Sequence, residues 1–339
     1  MGVFVMNTEK AIQGLLEEKS IGTLDLMLIW QYQDSMKNLI FLVIIYFSCG
    51  PDVPNFDQDR AFGHLLTQCE FGPRNPGSDG YYACLDYMVK EFEKYADEVI
   101  LQEFSYTEPR FRKRHELTNV IARFNPDAEF QTMISCHWDT RPVADMEEHR
   151  KDKNQPIIGA NDGASGVAVI LELAKILGEN APQIGVNLVM FDGEDMGLPG
   201  ENETYCQGSR YFAKYPPIPL PYEAINLDMI GDKQLHIPIE KYSLEFNPDL
   251  VRYLWKRADD LGLDAFDMTP QYAIYDDHVP LYEIAGIPAI DLIDFKYPNP
   301  YSNFWHTMDD VPENCSAESL GQVGRLMVDY IYYRENQNW

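Results

Sequence analysis

The feature that most limits the fold of this chain is a series of short apolar runs that alternate with segments of helical periodicity. The run "GVNLVMFDG" (185–193) is nearly continuous in apolar residues, which is typical of a strand covered on both faces of a sheet. Similar runs at 116–124, 130–137, 223–231 and 286–293 predict further strands. Strands that alternate with helices predict an α/β/α sandwich, in which ligands bind at the carboxyl ends of the strands.

The helices are predicted at 79–96, 165–177, 208–215 and 316–333. In the second of these, the residues spaced for one buried face are Val167, Ile170, Leu171 and Ala174. In the last, the corresponding stripe is Leu320, Val323, Met327 and Ile331. No proline-rich or low-complexity gap interrupts the chain after residue 60, so we predict a single domain over 60–339.

The N-terminal part has a different character. The stretch "MKNLIFLVIIYFSCG" (36–50) has a lysine, an apolar core and then Ser-Cys-Gly, which is typical of an export signal whose core is short for a membrane span. We predict an upstream extension at 1–35 that precedes the true start at Met36, a signal at 36–49 and a linker at 50–59. Cys49 lies where bacterial lipoproteins are acylated, although Tyr46 stands where leucine is usual. A buried strand or a short anchor is the alternative interpretation.

Charge and cysteine content exclude several classes of partner and site. Acidic residues outnumber basic ones, 54 to 27, for a formal net charge of -27, and such a surface repels phosphate backbones, so no nucleic acid partner is expected. The six cysteines form no CxxC pair. The sequence therefore predicts neither a structural zinc knot nor a dense disulfide framework, and isolated disulfides stay open.

Residues that bind metals or move protons follow the predicted strands. His137 and Asp139 follow one strand, Asp162 lies in a glycine-rich turn before a helix, and a buried run is followed by "DGED" (192–195). Asp228 ends another strand, and "FWHTMDD" (304–310) adds a histidine. Singly, each has a plainer interpretation: Asp162 as a helix cap, His137 as a strand end that binds a carbonyl. Together, aspartate and histidine without cysteine favour zinc or a similar ion.

The motifs also resemble a known family. The order "HWD", "NDGASG", "FDGED", "LDMIGD", "DDHVP" and "WHTMDD" is similar to the zinc aminopeptidase-like family, which includes the glutaminyl cyclases, from about Phe71 to the C-terminus. The resemblance implies a three-layer α/β/α sandwich with a mixed central sheet. It also implies Asp162, Asp195 and His306 as zinc ligands and Glu194 as the acid/base carboxylate.

Two activities of this family fit the ligand inventory. Its aminopeptidases bind two zinc ions, which would add His137 and Asp228 as ligands with Asp162 as the bridge. Its cyclases work with one zinc ion, and the same second-site residues are then free for hydrogen bonds. All five residues are present, so the ligands alone do not separate a peptidase from a cyclase.

Other positions favour the cyclases, above all the bacterial ones of animal type. Asp276 stands where the aminopeptidases usually have serine, and Trp305 where they commonly have tyrosine. The resemblance implies that Asp276 acts in catalysis with Glu194 and Asp228, that Trp305 and Tyr301 lie beside the substrate, and that Asp139 orients the site. His278 is expected to order its loop.

Some positions depart from the family pattern. The animal enzymes have Glu-Glu where this chain has "ED" (194–195), and the resemblance places the partner of Cys136 near Val167, so that disulfide is not expected. The insert 198–207 leaves one wall of the pocket without an assignment.

The resemblance implies an enzyme that converts N-terminal glutamine of peptides to pyroglutamate and releases ammonia, with one zinc ion that polarises the γ-carbonyl. We expect a monomer that acts on peptide or protein substrates in the bacterial periplasm or on the cell envelope. A di-zinc aminopeptidase is the first alternative. An inactive envelope protein that has kept the fold is the second, although the intact Glu194 argues against it.

Overall fold

The computed structural model describes residues 53–148 and 151–334 and, from the N-terminal unit Met1–Asp52, two strands without their side chains. Those strands, β1 (Asp25–Ile29) and β2 (Leu42–Tyr46), pair antiparallel within that unit. The rest of the predicted extension 1–35, signal 36–49 and the start of the linker 50–59 lies outside the described residues. These boundaries stay predictions.

The centre of the second unit is a six-stranded sheet with the order β10-β7-β5-β6-β4-β3. Its strands are β3 (Glu98–Thr107), β4 (Arg114–Phe124), β5 (Gln131–His137), β6 (Gly185–Phe191), β7 (Glu223–Asp228) and β10 (Ala289–Ile293). The four strands β10, β7, β5 and β6 are parallel, whereas β4 and β3 continue the sheet antiparallel. The mixed sheet predicted for the family is confirmed, and β5 to β7 and β10 are buried along their whole length.

Helices cover both faces of this sheet. They are α1 (Gln58–Glu70), α2 (Asp79–Phe92), α3 (Ala164–Glu179), α4 (Gln207–Lys214), α5 (Lys241–Phe246), α6 (Pro248–Asp260), α7 (His278–Ala285) and α8 (Ala317–Arg334). Apolar residues at alternate positions along the strands of the sheet belong to two different apolar clusters. One cluster includes residues of α1, α2, α3, α6 and α8, and the other includes residues of α4 and α7. Because the side chains of a strand alternate between faces, this division confirms a three-layer sandwich.

Short strands and turns complete the domain. They are β8 (Ile237–Ile239), which is parallel to β9 (Phe266–Pro270), β11 (Pro298–Asn299), which is antiparallel to β12 (Ser302–Asn303), and 3-10 turns at Asn202–Thr204 and Pro312–Asn314.

The face predicted for α3 is buried, but it is not the only buried face of this helix among the described residues. All its residues from Ala164 to Ala174 are buried, because the helix lies between the sheet and α1, α2 and α8. A helix that is covered all round needs no polar face. The stripe of Leu320, Val323, Met327 and Ile331 in α8 is buried as predicted.

The segment before α1 is held against the domain. The helix begins at Gln58, inside the predicted linker, with Asp57 as its N-cap. Arg60 then pairs with the fully buried Glu172 of α3. Phe56 lies directly over Gly324 of α8, where a Cβ atom would come within 2.3 Å of the ring. These contacts fix the start of the domain to the helical layer opposite α4 and α7.

Among the described residues, Cys69, Cys84, Cys136, Cys206 and Cys315 are free thiols. In the part of the chain that the structure describes, no helix has the length and hydropathy that a membrane crossing requires.

Candidate active site

The functional side chains gather at one edge of the sheet. His137 ends β5, Asp228 ends β7, and Glu194 and Asp195 lie just beyond the end of β6. Because these strands are parallel, their carboxyl ends meet at the same edge. The sequence prediction that placed the chemistry at the strand ends therefore describes the folded arrangement.

We call Asp162, Asp195 and His306 the first ligand group. The Nε2 atom of His306 lies 3.0 Å from Oδ1 of Asp195 and 3.6 Å from Oδ2 of Asp162, and one candidate ligand atom from each residue lies within 4.8 Å of the others. All three side chains are buried, and Oδ2 of Asp162 and Oδ2 of Asp195 have no hydrogen-bond partner. Buried carboxylate oxygens without partners are costly, so this donor set fits a bound zinc ion.

The loop that carries Asp162 is fixed from behind. The backbone N–H groups of Asn161 and Asp162 donate to the Asp310 carboxylate at 2.8 and 3.2 Å. The helix α3 begins at Ala164 after Gly163, whose φ of 104° favours glycine, and it has no side-chain cap. The alternative that Asp162 caps this helix is therefore wrong, and its carboxylate is free to face the site.

His306 has an unusual backbone conformation and a stacked neighbour. Its φ is 56°, a left-handed conformation that costs free energy in residues other than glycine. The Trp305 ring stacks on its imidazole with ring centroids 3.7 Å apart, and Phe295 packs against Trp305. The strained turn therefore directs His306 toward the carboxylates while Trp305 lines the cavity.

Sequence reasoning missed two residues behind the first ligand group. Arg141 is fully buried and donates to the backbone oxygen and to Oδ1 of Asp195 at 2.9 and 3.2 Å. It also forms a bidentate pair with Asp145, whose Oδ1 lies 3.4 Å from Nδ1 of His306. Against the effect of its burial, His306 and Arg141 hold the pKa of Asp145 below its usual range. Asp145 is therefore an anion that orients the ring of His306.

Glu194 lines the same cavity as the first ligand group. The Asp139 carboxylate accepts hydrogen bonds from the backbone N–H groups of Glu194 and Asp195 at 3.0 and 3.2 Å, which is the kind of contact expected of an orienting residue. Burial raises the pKa of Glu194 well above its usual range, and repulsion from Asp195 and Asp276 adds to this effect. A carboxyl group with a raised pKa both takes and returns protons near neutral pH.

Cys206, a third residue that the sequence did not indicate, contacts Glu194. The Cys206 thiol donates to Oε1 of Glu194 at 3.6 Å, and Cys206 is fully buried with a φ of 57°. Burial raises the pKa of this thiol, and Glu194 raises it further. Cys206 is therefore a neutral donor to the carboxylate.

We call His137, Asp162 and Asp228 the second ligand group. The Nε2 atom of His137 lies 3.1 Å from Oδ1 of Asp162 and 3.1 Å from Oδ1 of Asp228. Burial opposes a charge on His137, but the carboxylates of Asp139, Asp162 and Asp228 raise its pKa well above the usual range. The residues that the resemblance implied for a second metal therefore do meet in space.

Asp276 lies beside these groups, deep in the cavity wall. Its carboxylate accepts hydrogen bonds from the Asn226 side chain at 3.0 Å and from the N–H of Asp277 at 2.5 Å. Burial raises its pKa to about 6, and repulsion from Asp228 contributes. His278 is fully buried with Nε2 3.2 Å from Oε2 of Glu240, so it contacts the residue that caps α5.

A cavity of about 470 Å³ connects these residues. Its lining includes Asp162, Glu194, Asp195, Asp228, Asp276, Trp305 and His306. Tyr205 and three other residues of the insert 198–207 form part of the wall that the sequence left without an assignment.

Tyr301 does not belong to this lining, and its side chain is 96% exposed. The β11–β12 turn places Tyr301 in solvent, outside the cavity, and its contact with substrate stays a prediction. Asp192 also faces elsewhere, toward the hydroxyl of Tyr81.

Several known proteins are similar to this chain. It is 22% identical over 290 residues to the glutaminyl-peptide cyclotransferase of Bos taurus. The aligned region covers 76% of this chain and 77% of that protein. A Zn-dependent exopeptidase from Parabacteroides distasonis is 33% identical, with a TM-score of 0.80 over 84% of this chain and 100% of that one. A glutaminyl cyclase from Bacteroides thetaiotaomicron bound to N-acetylhistamine is 32% identical, with a TM-score of 0.79 over 85% of this chain and 100% of that one.

The family assignment rests on most of the domain just described. The model of Peptidase family M28 matches residues 119–331. This span begins in β4, ends in α8 and includes both ligand groups, Glu194 and Asp276. It confirms the family that the motifs predicted, and the chain belongs to peptidase family M28.

Proposed function

We propose that this protein is a zinc-dependent glutaminyl-peptide cyclotransferase that converts N-terminal glutamine of peptides into pyroglutamate and releases ammonia. The observation that carries this proposal is that Asp276 lines the same cavity as Glu194 and the first ligand group. A hydrolytic di-zinc site has no evident task for a carboxylate at that position. The similarity to cyclases from animals and bacteria supports the same conclusion.

The reaction is an internal acyl transfer. The α-amine nitrogen of the substrate forms a bond to its own γ-carbonyl carbon, and the bond from that carbon to the amide nitrogen breaks. One proton moves from the amine to the leaving nitrogen, so the products are a five-membered lactam and ammonia. Because the reacting atoms are tethered, the site has to fix one rotamer and move this proton.

Glu194 is the proposed carrier of the proton. It faces the cavity, it is the partner of the Cys206 thiol, and its raised pKa suits both steps of the transfer. Asp228 and Asp276 would accept hydrogen bonds from the substrate amine and hold it toward the γ-carbonyl carbon. Trp305 supplies an apolar wall beside the glutamine side chain.

The proposed cofactor is one zinc ion per chain, held by Asp162, Asp195 and His306. When bound there, zinc supplies a Lewis acid for the γ-carbonyl oxygen. Each ligand is held from outside the group: Asp310 accepts from the backbone N–H of Asp162, Arg141 donates to the Asp195 carboxylate, and Asp145 faces the outer nitrogen of His306.

A di-zinc aminopeptidase is the second candidate, because the second ligand group is complete and an exopeptidase is among the similar structures. An inactive binding protein is the third. To separate these functions, the zinc-loaded protein is incubated with a peptide that begins with glutamine and with a leucine amide. We expect ammonia from the first substrate and no leucine from the second. Leucine release without cyclisation would support the peptidase, and no turnover of either would support the binding protein.

Replacement of Asp276 tests the residue that carries the proposal. We expect Asp276→Ser, which introduces the residue usual in the aminopeptidases, to lose about 10–100-fold or more in kcat/KM for cyclisation, since a hydrogen bond to a charged group contributes about 1.5–3 kcal/mol. The control is Asp264→Ser, at an exposed position. An unchanged rate in the Asp276 variant would remove the main reason to prefer a cyclase.

We also propose that the protein is a monomer exported to the bacterial periplasm or cell envelope, that it acts on peptides or proteins with N-terminal glutamine, and that Cys49 is its membrane tether. Support comes from the sequence 36–49 and from the net charge of -27, which disfavours nucleic acid. Labelled palmitate should enter the full chain but not Cys49→Ser. Incorporation into both would reject Cys49 as the site.

A further inference from the structure

Arg141 is a buried cation that contacts both sides of the first ligand group. It lies in the segment after β5, two residues beyond Asp139, and its side chain is fully buried. Burial of a guanidinium is unfavourable unless carboxylates and hydrogen bonds satisfy its donors. The identity of those partners therefore indicates what the residue does.

One arm of Arg141 holds Asp195. Its Nη1 atom donates to the backbone oxygen and to Oδ1 of Asp195 at 2.9 and 3.2 Å. Oδ1 of Asp195 also lies 3.0 Å from Nε2 of His306. The other oxygen, Oδ2, is buried and has no hydrogen-bond partner, so the contact with Arg141 leaves that oxygen available for an ion.

The other arm holds His306 through Asp145. Nε and Nη2 of Arg141 donate to Oδ1 and Oδ2 of Asp145 at 3.2 and 2.6 Å. Oδ1 of Asp145 in turn lies 3.4 Å from Nδ1 of His306. The guanidinium also lies over the Tyr205 ring, 5.4 Å from its centroid, and Tyr205 lines the cavity.

We propose that Arg141 is a positioning residue that fixes Asp195 and His306 relative to each other and thereby sets the affinity of the first ligand group for zinc. The planar fork of arginine reaches both carboxylates at once, whereas the ammonium of lysine is a point charge without that geometry. The inference rests on the proposed function only in that zinc occupies this group. Arg141 itself does not line the cavity and is assigned no contact with substrate.

The chain offers a matched control for this proposal. Arg257 of α6 forms a bidentate pair with Asp329 of α8 at 2.9 and 2.7 Å and lies over the Tyr333 ring. It therefore repeats the pair and the ring contact of Arg141 without contact to either ligand group. Loss of one arginine pair affects folding stability in both cases, but only Arg141 is expected to affect metal binding.

The experiment measures zinc affinity directly, by competition with a chromophoric chelator, for the wild type, Arg141→Lys, Arg141→Met and Arg257→Met. We expect zinc to bind about 10–100-fold more weakly to the Arg141 variants, as is typical when a partner of a metal ligand is lost, and unchanged binding by Arg257→Met. Circular dichroism checks that each variant is folded. If Arg141→Met does not fold, Arg141→Lys, which keeps the charge, decides the question.

A further variant separates the contact of Arg141 with Asp195 from its indirect contact with His306. Asp145→Asn keeps the contact between Arg141 and Asp195 but weakens the arm to His306, and we expect a smaller loss of zinc affinity than in Arg141→Met. Wild-type affinity in a folded Arg141→Lys variant would overturn the proposal. This readout is independent of turnover: if the wild type binds zinc but releases no ammonia from a glutamine peptide, the proposed function fails and the role of Arg141 is still decided.

Discussion

The two ligand groups of this protein share Asp162 and consist of the same residue types, yet their surroundings differ. In the first ligand group, the Arg141 cation contacts Asp195, and Asp145 faces the outer nitrogen of His306. In the second, no arginine or lysine among the described residues pairs with Asp162 or Asp228, whose ion pairs are with histidine alone. The Asp228 side chain of that group is 12% exposed, against 1% for Asp195.

This difference indicates that the presence of suitable ligand residues does not by itself define a metal site. A histidine ligand is held in place when its other nitrogen faces an anion that is itself fixed. His306 meets this requirement through Asp145, at 3.4 Å, which the Arg141 cation holds in turn. Nδ1 of His137 faces Oδ1 of Asp139 at the longer distance of 3.7 Å without a hydrogen bond, and among the described residues no arginine or lysine pairs with Asp139. We therefore infer that the first ligand group is built to bind zinc and that the second is built to bind the amine of a substrate.

The largest difference in zinc binding is expected when one histidine of each ligand group is replaced by alanine. His306→Ala should weaken zinc binding by more than about 100-fold, because loss of a ligand exceeds the effect of losing a ligand's partner, and cyclisation should disappear with the metal. His137→Ala should keep its zinc. The check is the zinc content of each folded variant after gel filtration, and equal loss in both would show that the groups do not differ.

Glu194→Gln should abolish cyclisation while zinc stays bound, because an amide does not carry the proton. A positioned acid/base group contributes about 10²–10⁴-fold, and we expect a loss of that size in kcat. Zinc content and ammonia release are measured on the same sample. Full activity in this variant would mean that another group moves the proton.

A smaller effect is expected from the second ligand group. Asp228→Asn keeps one acceptor oxygen but loses the charge that we propose faces the substrate amine, so kcat/KM should fall about tenfold or more at unchanged zinc content. The corresponding change in the first ligand group, Asp195→Asn, should release zinc. If Asp228→Asn releases zinc as well, Asp228 is a metal ligand and the comparison fails.

The smallest effect is expected at Asp232, a buried carboxylate outside both ligand groups. It shows how burial alone, without a metal ion, changes the pKa of an aspartate in this protein. Burial raises its pKa to about 6, against about 3.9 in an unfolded chain. Between about pH 4 and pH 6 the folded state therefore binds more protons at this site than the unfolded state, and its contribution to the free energy of unfolding falls as the pH rises. Above this range the contribution is constant.

Asp232→Asn should remove this dependence. The amide oxygen can still accept from the N–H of Gln234, and Oδ2 of Asp232 has no hydrogen-bond partner to lose. In denaturant titrations of metal-free protein, the stability of the variant relative to wild type should rise between pH 4 and pH 6 and then level off. The control is the exposed Asp264→Asn, and a difference that does not vary with pH would contradict the assignment.

The sequence predicts much of the framework because buried parallel strands have a distinct composition. The apolar runs predicted at 130–137, 185–193 and 223–231 contain strands β5, β6 and β7, and a parallel sheet brings the carboxyl ends of these strands together. Helix boundaries were less accurate. The first helix starts within the predicted linker, and β3 and α6 were not predicted from the sequence.

The residues that hold the site together were beyond sequence reasoning. Arg141 and Asp145 lie in an irregular segment without periodicity, and the contact of Arg141 with Asp195 spans 54 residues. The contact of Asp310 with the N–H of Asn161 spans 149 residues. Such pairings depend on the packed fold, so an alternating pattern of apolar residues does not encode them. Tyr301 shows the reverse case: it lies close to His306 in the chain, but its side chain does not line the cavity.

The most direct test of this account is the number of zinc ions bound per chain, measured by native mass spectrometry of the wild-type protein after zinc loading and removal of free metal. The difference between the two ligand groups predicts one ion, and the same single ion in His137→Ala. Two ions in the wild type, with one lost in His137→Ala, would show that the second ligand group binds metal and would contradict the account.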